Sequence, residues 1–208
     1  MNTSKLSTAA DSMRGLNWTD REVYKQFVSQ VYYFVSHSTR MLAAAMSETS
    51  NEKYYDRLVA HIKEEDKHEK LALMDLKQLG GKLADYPEAG ITRSMWESQF
   101  YKISKSPTSL LGYILALELI AVEVYPDVRP LLEKTYSLKC LNFIRVHSDE
   151  DPDHVVKAMQ QLDMLAGEEQ RLAVENFEQT CDILTYFFAE INSTAAARSS
   201  QRKQSQAA

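Results

Sequence analysis

The stretch Gly112-Tyr-Ile-Leu-Ala-Leu-Glu118-Leu-Ile-Ala-Val-Glu123 decides the fold class. It belongs to an apolar segment, residues 107–125, that is too rich in leucine, isoleucine and alanine to lie on a surface. Such a segment is predicted to form a buried helix, which amphipathic helices must cover. The flanking sequence has helical periodicity and no long alternation of period two. The chain is therefore predicted to be all-α.

Further helices are predicted on both sides of this core helix, because only 6 glycines and 5 prolines interrupt 208 residues. Pro126 and Pro130 are expected to end the core helix, and Pro152 is expected to interrupt a later one, since proline breaks helices and restricts the residue before it. About seven helices are predicted. They run from Thr19 or Asp20 through Leu42, between Asn51 and Gly80, over residues 95–103, 107–125 and 131–147, from Pro152, and over residues 168–191.

The two ends of the chain are expected to be disordered. Residues 1–15 are rich in serine, threonine and alanine, and they lack the apolar centre of a secretory signal. Residues 193–208 are small, polar and basic. Residues 16–192 are predicted to form a single domain, which is long enough to bury a core of its own.

Composition excludes several functions. The net charge of −5 gives no reason to expect nucleic acid or an anionic membrane surface as a partner. No run of uninterrupted apolar residues is long enough for a membrane span. Cys140 and Cys181 are the two cysteines and form no CxxC motif, so neither a zinc ribbon nor a dithiol centre is predicted. We expect a cytoplasmic protein.

Four of the 5 histidines fall into a repeated pattern, H-x3-[DE]-x2-H. Its two copies are His61-x3-Glu65-x2-His68 and His147-x3-Asp151-x2-His154. On a helix these offsets place three side chains within roughly 60° of one another. Facing helices of a bundle can bring such side chains together around a metal, and mixed histidine and carboxylate ligands suit iron or manganese. The pattern predicts a metal site.

Glu118 is the third component of the predicted site, because an ionised carboxylate in an apolar helix is costly unless it is paired or bound to a metal. The alternative is a salt bridge to Arg40, Arg129 or Arg145. The triplets also have simpler interpretations. The acids around His61 and His68 could form a solvated face, and Asp151, which precedes a proline, could be only a helix cap.

A further candidate group lies on the first predicted helix. Tyr32 and His37 stand in an apolar helical segment, and we expect them to line the same cavity as catalytic residues. The simpler interpretation is that the tyrosine is a core aromatic and that His37 is a hydrogen-bonded core histidine.

The segment Asn142-Phe-Ile-Arg-Val-His147-Ser-Asp-Glu-Asp151-Pro-Asp-His154-Val resembles the F-x3-H-x3-D-x2-H signature of the heme-oxygenase-like diiron oxidases and oxygenases. That group is related to TenA, PqqC and the chlamydial death-domain-associating protein. Ala116-Leu117-Glu118 resembles the family's bridging glutamate, and His68 with an upstream acid resembles the earlier ligand pair. The resemblance implies a heme-oxygenase-like bundle of seven helices in which iron is held by His68, Glu118, His147, Asp151 and His154.

The resemblance also implies a non-heme diiron enzyme that uses O2 to oxidise a small organic substrate. We expect two iron ions, with manganese as an alternative, and a homodimer. Two other functions stay open. One is a metal-independent TenA- or PqqC-like enzyme that uses the same histidines and acids for acid–base chemistry. The other is a non-enzymatic iron-binding helical protein.

The chain departs from the family pattern at one ligand. Several relatives have a glutamate seven residues before the histidine that matches His68, where this chain has His61. Others use an acid three residues before it, which here is Glu65. The sixth ligand therefore stays open among Glu65, His61, Glu64 and His37.

Overall fold

The computed structural model describes residues 2–207, and this part of the chain is folded into nine α-helices and three short 3₁₀ turns, without a strand. The predicted all-α class is confirmed. The helices are α1 (Thr3–Arg14), α2 (Arg21–Val35), α3 (Ser38–Glu48), α4 (Glu52–Glu64), α5 (His68–Gln78), α6 (Gly90–Lys105), α7 (Leu110–Thr135), α8 (Asn142–Asp163) and α9 (Gly167–Ala207).

Helix α7 is the core helix that its sequence predicts. It packs against α1, α8 and α9, and its residues from Leu110 to Ala116 are all buried. The segment Pro107–Thr135 is long and apolar enough to cross a membrane, but 78% of its most apolar window is buried inside the protein. The apolar composition of α7 therefore reflects its place at the centre of the bundle.

Two of the predicted helices are broken by a kink. The first comprises α2 and α3, which separate at Ser36 and His37, and the second comprises α4 and α5. Between α4 and α5, Lys67 has a φ of 71°, a left-handed conformation that costs energy in a residue with a side chain. If α2–α3 and α4–α5 are each counted as one kinked helix, the nine segments form seven helices.

The expected helix breaks at proline are wrong. Pro126 and Pro130 lie inside α7, and Pro152 lies inside α8. All three prolines are exposed, so water can bind the carbonyl groups whose helical hydrogen bonds they remove. Asp151 is consequently a buried residue in the middle of α8 and not its N-terminal cap.

The predicted disorder at the chain ends is also wrong as far as the described residues extend. Helix α1 begins after Asn2, which caps it, and buries Ala9, Ala10 and Met13 in contacts with α7 and α9. At the other end, α9 continues to Ala207, and Arg198 donates a hydrogen bond of 2.7 Å to Glu22. The predicted boundaries at residues 15 and 193 therefore do not separate folded from unfolded chain, because both end segments pack on the bundle. Met1 and Ala208 lie outside the described residues.

Candidate metal centre

The predicted acids and histidines meet at a cavity inside the bundle. The cavity holds about 840 Å³ of space between atoms, part of it open to solvent. Its wall is mainly aliphatic and aromatic. Five predicted ligands belong to this wall, and they are His61, Glu65, Glu118, His147 and Asp151.

The first ligand group consists of His61, Glu118 and His154, whose ligand atoms all lie within 4.8 Å of one another. Glu118 Oε1 is 3.8 Å from His61 Nε2 and 3.8 Å from His154 Nδ1. Asp151 lies next to this group, with its Oδ1 3.9 Å from His154 Nδ1. All four side chains are buried.

The second ligand group consists of Glu65, His68 and His147, again with ligand atoms within 4.8 Å of one another. Glu65 Oε1 is 3.9 Å from His68 Nδ1, and the His68 and His147 rings are 5.0 Å apart between centroids. Glu65 Oε1 also lies 3.7 Å from His61 Nε2. The two ligand groups are therefore neighbours, joined through Glu65 and His61.

Each ligand group takes histidines from both sequence triplets. His61 meets His154 and His68 meets His147, so the chain order is reversed between the two segments, as it must be when α4–α5 runs antiparallel to α8. The expectation that each triplet forms one face of a single helix holds only for the second triplet. In the first, the break at Glu65 to Lys67 separates His61 on α4 from His68 on α5.

Asp75 links α5 to α8, the helices that carry His68 and His147 of the second ligand group. It is fully buried on α5, where its Oδ1 accepts hydrogen bonds from the Asn142 backbone N–H (2.9 Å) and side-chain amide (2.7 Å). Its Oδ2 accepts one from the Phe143 N–H (2.9 Å). These donors belong to the first turn of α8, so Asp75 acts as its cap across the helix interface. Asp75 was not identified by the sequence analysis. The one feature of the sequence that points to it is its position seven residues after His68, on the same side of α5.

His147 is prepared as a neutral ligand. Its ring stacks on Phe143, with centroids 3.9 Å apart, and its Nδ1 lies 2.8 Å from the Phe143 carbonyl. Donation from Nδ1–H to this carbonyl leaves the lone pair of Nε2 free for a metal. Burial lowers the pKa of His147 to about 4, so the imidazole is neutral at pH 7.

Glu64 lies behind His154. Its Oε2 is 3.6 Å from His154 Nε2, and its two oxygens accept hydrogen bonds from Arg57 (2.8 Å) and Lys157 (2.9 Å). Burial alone would raise the pKa of Glu64, but Lys157 and Arg57 outweigh it and lower the pKa to about 2. Two of the four candidates for the sixth ligand, Glu65 and His61, belong to the ligand groups. Glu64 does not, and both of its carboxylate oxygens already accept hydrogen bonds from cations.

Three carboxylic acids share the cavity wall, and no lysine or arginine joins them among the described residues that line it. Burial, followed by the charge of Glu65, raises the pKa of Glu118 well above its usual value. Burial and the neighbouring Glu118 raise the pKa of Asp151 to about 9. For Glu65, burial is outweighed by the nearby imidazoles, with His61 foremost, and the pKa falls to about 2.

The residues fit a bound divalent metal, because several buried ligand atoms have no hydrogen-bond partner. These atoms are His68 Nδ1, His154 Nδ1 and Glu118 Oε2. The alternative salt bridge for Glu118 is not formed within the described chain. Arg40 donates to a backbone carbonyl, Arg129 pairs with Glu133 and Asp149, and the Nε of Arg145 is buried without a hydrogen-bond partner among the described residues. The groups that lie 3.8 Å from Glu118 Oε1 are the imidazoles of His61 and His154. Unpaired acids and imidazoles that converge in a buried site are the donor set of a metal centre.

Tyr32 and His37, expected as catalytic residues, are not among the described residues of the cavity wall. His37 lies at the α2–α3 kink and stacks on Trp96 with 3.7 Å between ring centroids, while Tyr32 packs edge-on against Tyr33. For His37 the reason is the kink, because it ends α2 before this residue and takes its side chain out of the predicted register. Tyr32 lies within α2, where Val31, Phe34 and Val35 are the residues that line the cavity. Tyr113 and Tyr125, both on α7 with Glu118, line the cavity instead.

Comparison with known proteins assigns the chain to a class. Residues 25–185 match the family described as "Iron-containing redox enzyme", so the chain belongs to this family. No curated protein matches the sequence.

Solved structures share the heme-oxygenase-like fold. A domain of unknown function with this fold from Shewanella denitrificans has a TM-score of 0.79 at 18% identity, covering 99% of this chain and 96% of that one. A TenA homologue from Pseudomonas syringae has a TM-score of 0.75 at 13% identity, with coverage of 90% and 89%. A TenA homologue from Pyrococcus furiosus has a TM-score of 0.71 at 16% identity, with coverage of 92% and 100%. The heme-oxygenase-like fold expected from the resemblance is confirmed.

Proposed function

We propose that this protein is a non-heme diiron oxidase or oxygenase that uses O2 to oxidise a small organic substrate. The observation that supports this most is the pair of adjacent ligand groups, each with two histidines and a glutamate, at the wall of an apolar cavity. Its family is one of iron-containing redox enzymes. Mixed imidazole and carboxylate donors suit iron, and thiolate donors are absent from both groups.

The residues have separate tasks in this proposal. His61, Glu118 and His154 would hold one ion with Asp151 beside them, and Glu65, His68 and His147 would hold the other. When bound, iron supplies the redox chemistry by which O2 is reduced and the substrate is oxidised. The protein keeps His147 neutral by burial, orients its ring through the Phe143 carbonyl and orients His154 through Glu64. Apolar side chains of the cavity surround the substrate and exclude water.

The metal-independent alternative receives less support. A TenA-like thiol nucleophile would have to be Cys140 or Cys181, and both are buried. Neither is among the described residues of the cavity wall. Burial raises the pKa of the Cys181 thiol to about 12 and raises that of Cys140 as well, which keeps both thiols protonated.

Metal titration tests the proposal. Under anaerobic conditions we expect Fe(II) to bind at up to two equivalents per chain. His147→Ala and His154→Ala should each lose about one equivalent, because the two histidines belong to different ligand groups. His37→Ala is the matched control, since it removes the remaining histidine, which stacks on Trp96. Unchanged stoichiometry in both ligand variants would contradict the proposal.

Oxygen consumption then separates an enzyme from an iron carrier. An enzyme of this kind should consume O2 continuously only when its organic substrate is present. A carrier should consume at most the amount that oxidises its own bound iron. An iron-loaded protein that never exceeds this single oxidation with any candidate substrate would favour the non-enzymatic alternative.

A further inference from the structure

We infer that Glu150 is a positioning residue of the second ligand group, where its carboxylate accepts the Nε2–H of His68 and directs Nδ1 of that ring at the metal. This inference rests on the metal binding of the proposed function, and it adds a residue that belongs to neither ligand group. Three observations carry it: the orientation of the His68 ring, the same arrangement at His154, and a matching glutamate in each sequence triplet.

The ring of His68 has one nitrogen that faces the ligand group and one that faces away from it. Nδ1 is buried without a hydrogen-bond partner among the described residues and lies 3.9 Å from Glu65 Oε1. Nε2, on the other side of the ring, lies 3.9 Å from Glu150 Oε2. A neutral imidazole carries one hydrogen, so a lone pair on Nδ1 requires the hydrogen on Nε2. Glu150 is the acceptor that lies in position to hold the ring in this form.

His154 of the first ligand group has the same arrangement. Its Nδ1 is buried without a hydrogen-bond partner among the described residues and lies 3.8 Å from Glu118 Oε1. Its Nε2 lies 3.6 Å from Glu64 Oε2. An outer carboxylate that accepts a hydrogen bond from a ligand histidine fixes the tautomer and the orientation of the ring. Each ligand group therefore contains one histidine that stands between a ligand carboxylate and an outer carboxylate.

The two outer glutamates occupy the same place in the repeated sequence pattern. Glu64 directly precedes Glu65, and Glu150 directly precedes Asp151, so both triplets read H-x2-E-[DE]-x2-H. Because α4–α5 and α8 meet in antiparallel order, the glutamate of each triplet faces the last histidine of the other triplet. An incidental surface contact would not repeat at matching positions of both segments.

The two outer glutamates differ in how firmly they are held. The oxygens of Glu64 accept hydrogen bonds from Arg57 and Lys157. Glu150 pairs with no lysine or arginine among the described residues, and 47% of its side chain is exposed. A rotation of this exposed side chain is therefore enough to shorten the distance to His68 Nε2 to that of a charge-assisted hydrogen bond, about 2.8 Å.

Anaerobic Fe(II) titration of Glu150→Ala tests the inference. One of the two ions should bind at least about tenfold more weakly, as expected when a ligand histidine loses its outer partner. Asp149→Ala is the matched control, because it removes the same charge from the next residue of α8, an exposed acid that pairs with Arg129. It should change iron affinity by less than about threefold, since solvent screens such a charge. Equal affinities in the two variants would overturn the inference.

Glu150→Gln separates positioning from the effect of charge. The amide oxygen can still accept the Nε2–H of His68, so iron affinity should stay within about threefold of that of the parent protein. If Glu150→Gln binds iron as weakly as Glu150→Ala, the carboxylate acts through its charge or as a ligand, and the positioning role is wrong. The metal-free forms of all the variants should unfold at the same denaturant concentration as the parent protein.

Nitrogen NMR of the Zn(II)-loaded protein with labelled histidines reports the ring orientation directly. In the parent protein His68 should bind Zn(II) through Nδ1 and carry its hydrogen on Nε2, whereas Glu150→Ala should give a second set of signals for this ring. Binding of Zn(II) through Nε2 in the parent protein would contradict the assigned role. A parent protein that binds no iron removes the proposed function together with the inference. Normal iron affinity in Glu150→Ala removes the inference alone.

Discussion

Glu118 places an acid in the most apolar helix of the bundle, 7% exposed, with imidazole nitrogens of His61 and His154 3.8 Å from its Oε1. Burial, followed by the charge of Glu65, raises the pKa of this carboxyl well above its usual value and so favours the protonated form in the metal-free protein. A group of this kind contributes little to the stability of the metal-free protein. A metal ion bound to the ionised carboxylate would explain its presence.

Glu118→Gln should separate a ligand from a structural acid. Glutamine nearly preserves the shape, so we expect the metal-free variant to be as stable as the parent protein or more stable, while iron binding weakens. A structural salt bridge would behave differently, because the change would strand a buried cation and cost about 3–5 kcal/mol. Chemical denaturation of the metal-free variant and an iron titration measure the two effects. Large destabilisation together with normal iron stoichiometry would contradict the assignment.

Asp151 predicts that metal binding releases protons. Its pKa of about 9 leaves it protonated at pH 7, whereas a metal needs the carboxylate, so each ion bound there must displace a proton. His147 contributes none at pH 7, since its pKa of about 4 leaves it neutral already. Iron affinity should therefore rise with pH, by about tenfold per unit for each proton released, and this contribution should level off above about pH 9.

Calorimetry in buffers with different ionisation enthalpies counts the released protons directly. Asp151→Asn should release about one proton fewer than the parent protein, because the amide has none to give up. Asp153→Asn, an exposed acid two residues further along α8, is the matched control. The same proton count in all three proteins would mean that Asp151 is ionised before the metal arrives.

At the scale of the elements, the contact between α7 and α9 depends on Gly112. A Cβ atom added there would lie 1.9 Å from the Ala173 carbonyl oxygen and 2.6 Å from the Phe177 nitrogen, and both are backbone atoms that cannot turn away. The two helices therefore approach each other more closely than any side chain would allow. This contact holds the wall residues of α7 opposite those of α9.

Gly112→Ala should lower the free energy of unfolding by about 1–3 kcal/mol, because the helices must separate, although alanine is the better helix former. Gly90→Ala is a matched control, since a Cβ atom at this first residue of α6 meets no atom within 4 Å. It should leave stability unchanged or increase it by up to about 1 kcal/mol. Denaturant unfolding compares the two, and equal stabilities would show that α7 and α9 can adjust freely.

The individual helices show which structural features could be predicted from the sequence and which could not. The apolar composition of residues 107–125 identified α7, because a buried helix is apolar on all sides and this is visible in the residue types alone. The prolines led to wrong helix ends. A proline is tolerated inside a helix when it lies on the exposed face, and whether Pro126 or Pro152 does so depends on how the helices pack. The left-handed Lys67 has no local signal, because glycine is the residue usually expected there.

In the candidate site, too, features that depend on residue type could be predicted, whereas features that depend on packing could not. The sequence could bring out the seven candidate ligand residues because histidine and acid at fixed spacing are chemically distinctive, and the structure brings these residues close together. His37 was misplaced because the kink after Val35 changes the direction in which it faces. Tyr32 lies before the kink, and on α2 it is Val31, Phe34 and Val35 that line the cavity. Asp75 was missed because one acid among 29 is not distinctive until its three donors on α8 are known.

At the scale of the whole molecule, α1 closes the bundle against α7 and α9. Met13 lines the cavity, and the Arg14 guanidinium donates to the Glu123 carbonyl (3.0 Å) and pairs with the Glu123 carboxylate (3.2 Å). The N-terminal segment is thus part of the cavity wall as well as of the fold.

Removal of residues 1–15 should therefore lower the melting temperature by at least about 5 °C, because it exposes buried surface on α7 and α9. Lys5→Ala is the control on the same helix. It breaks only a surface pair with Asp182, and such pairs contribute at most about 1 kcal/mol. If the truncated protein has the same melting temperature as the parent protein, the packing of α1 does not contribute measurably to stability.

The antiparallel meeting of the two histidine triplets has a consequence for how the chain folds. Each ligand group joins segments that lie far apart in the sequence, so an ion bound to either group would act as a reversible cross-link. Closing a long loop in this way restricts the unfolded chain, much as a disulfide does. Neither segment carries a complete ligand group by itself. Metal capture would therefore follow assembly of the bundle, and the bound ions would then oppose its opening.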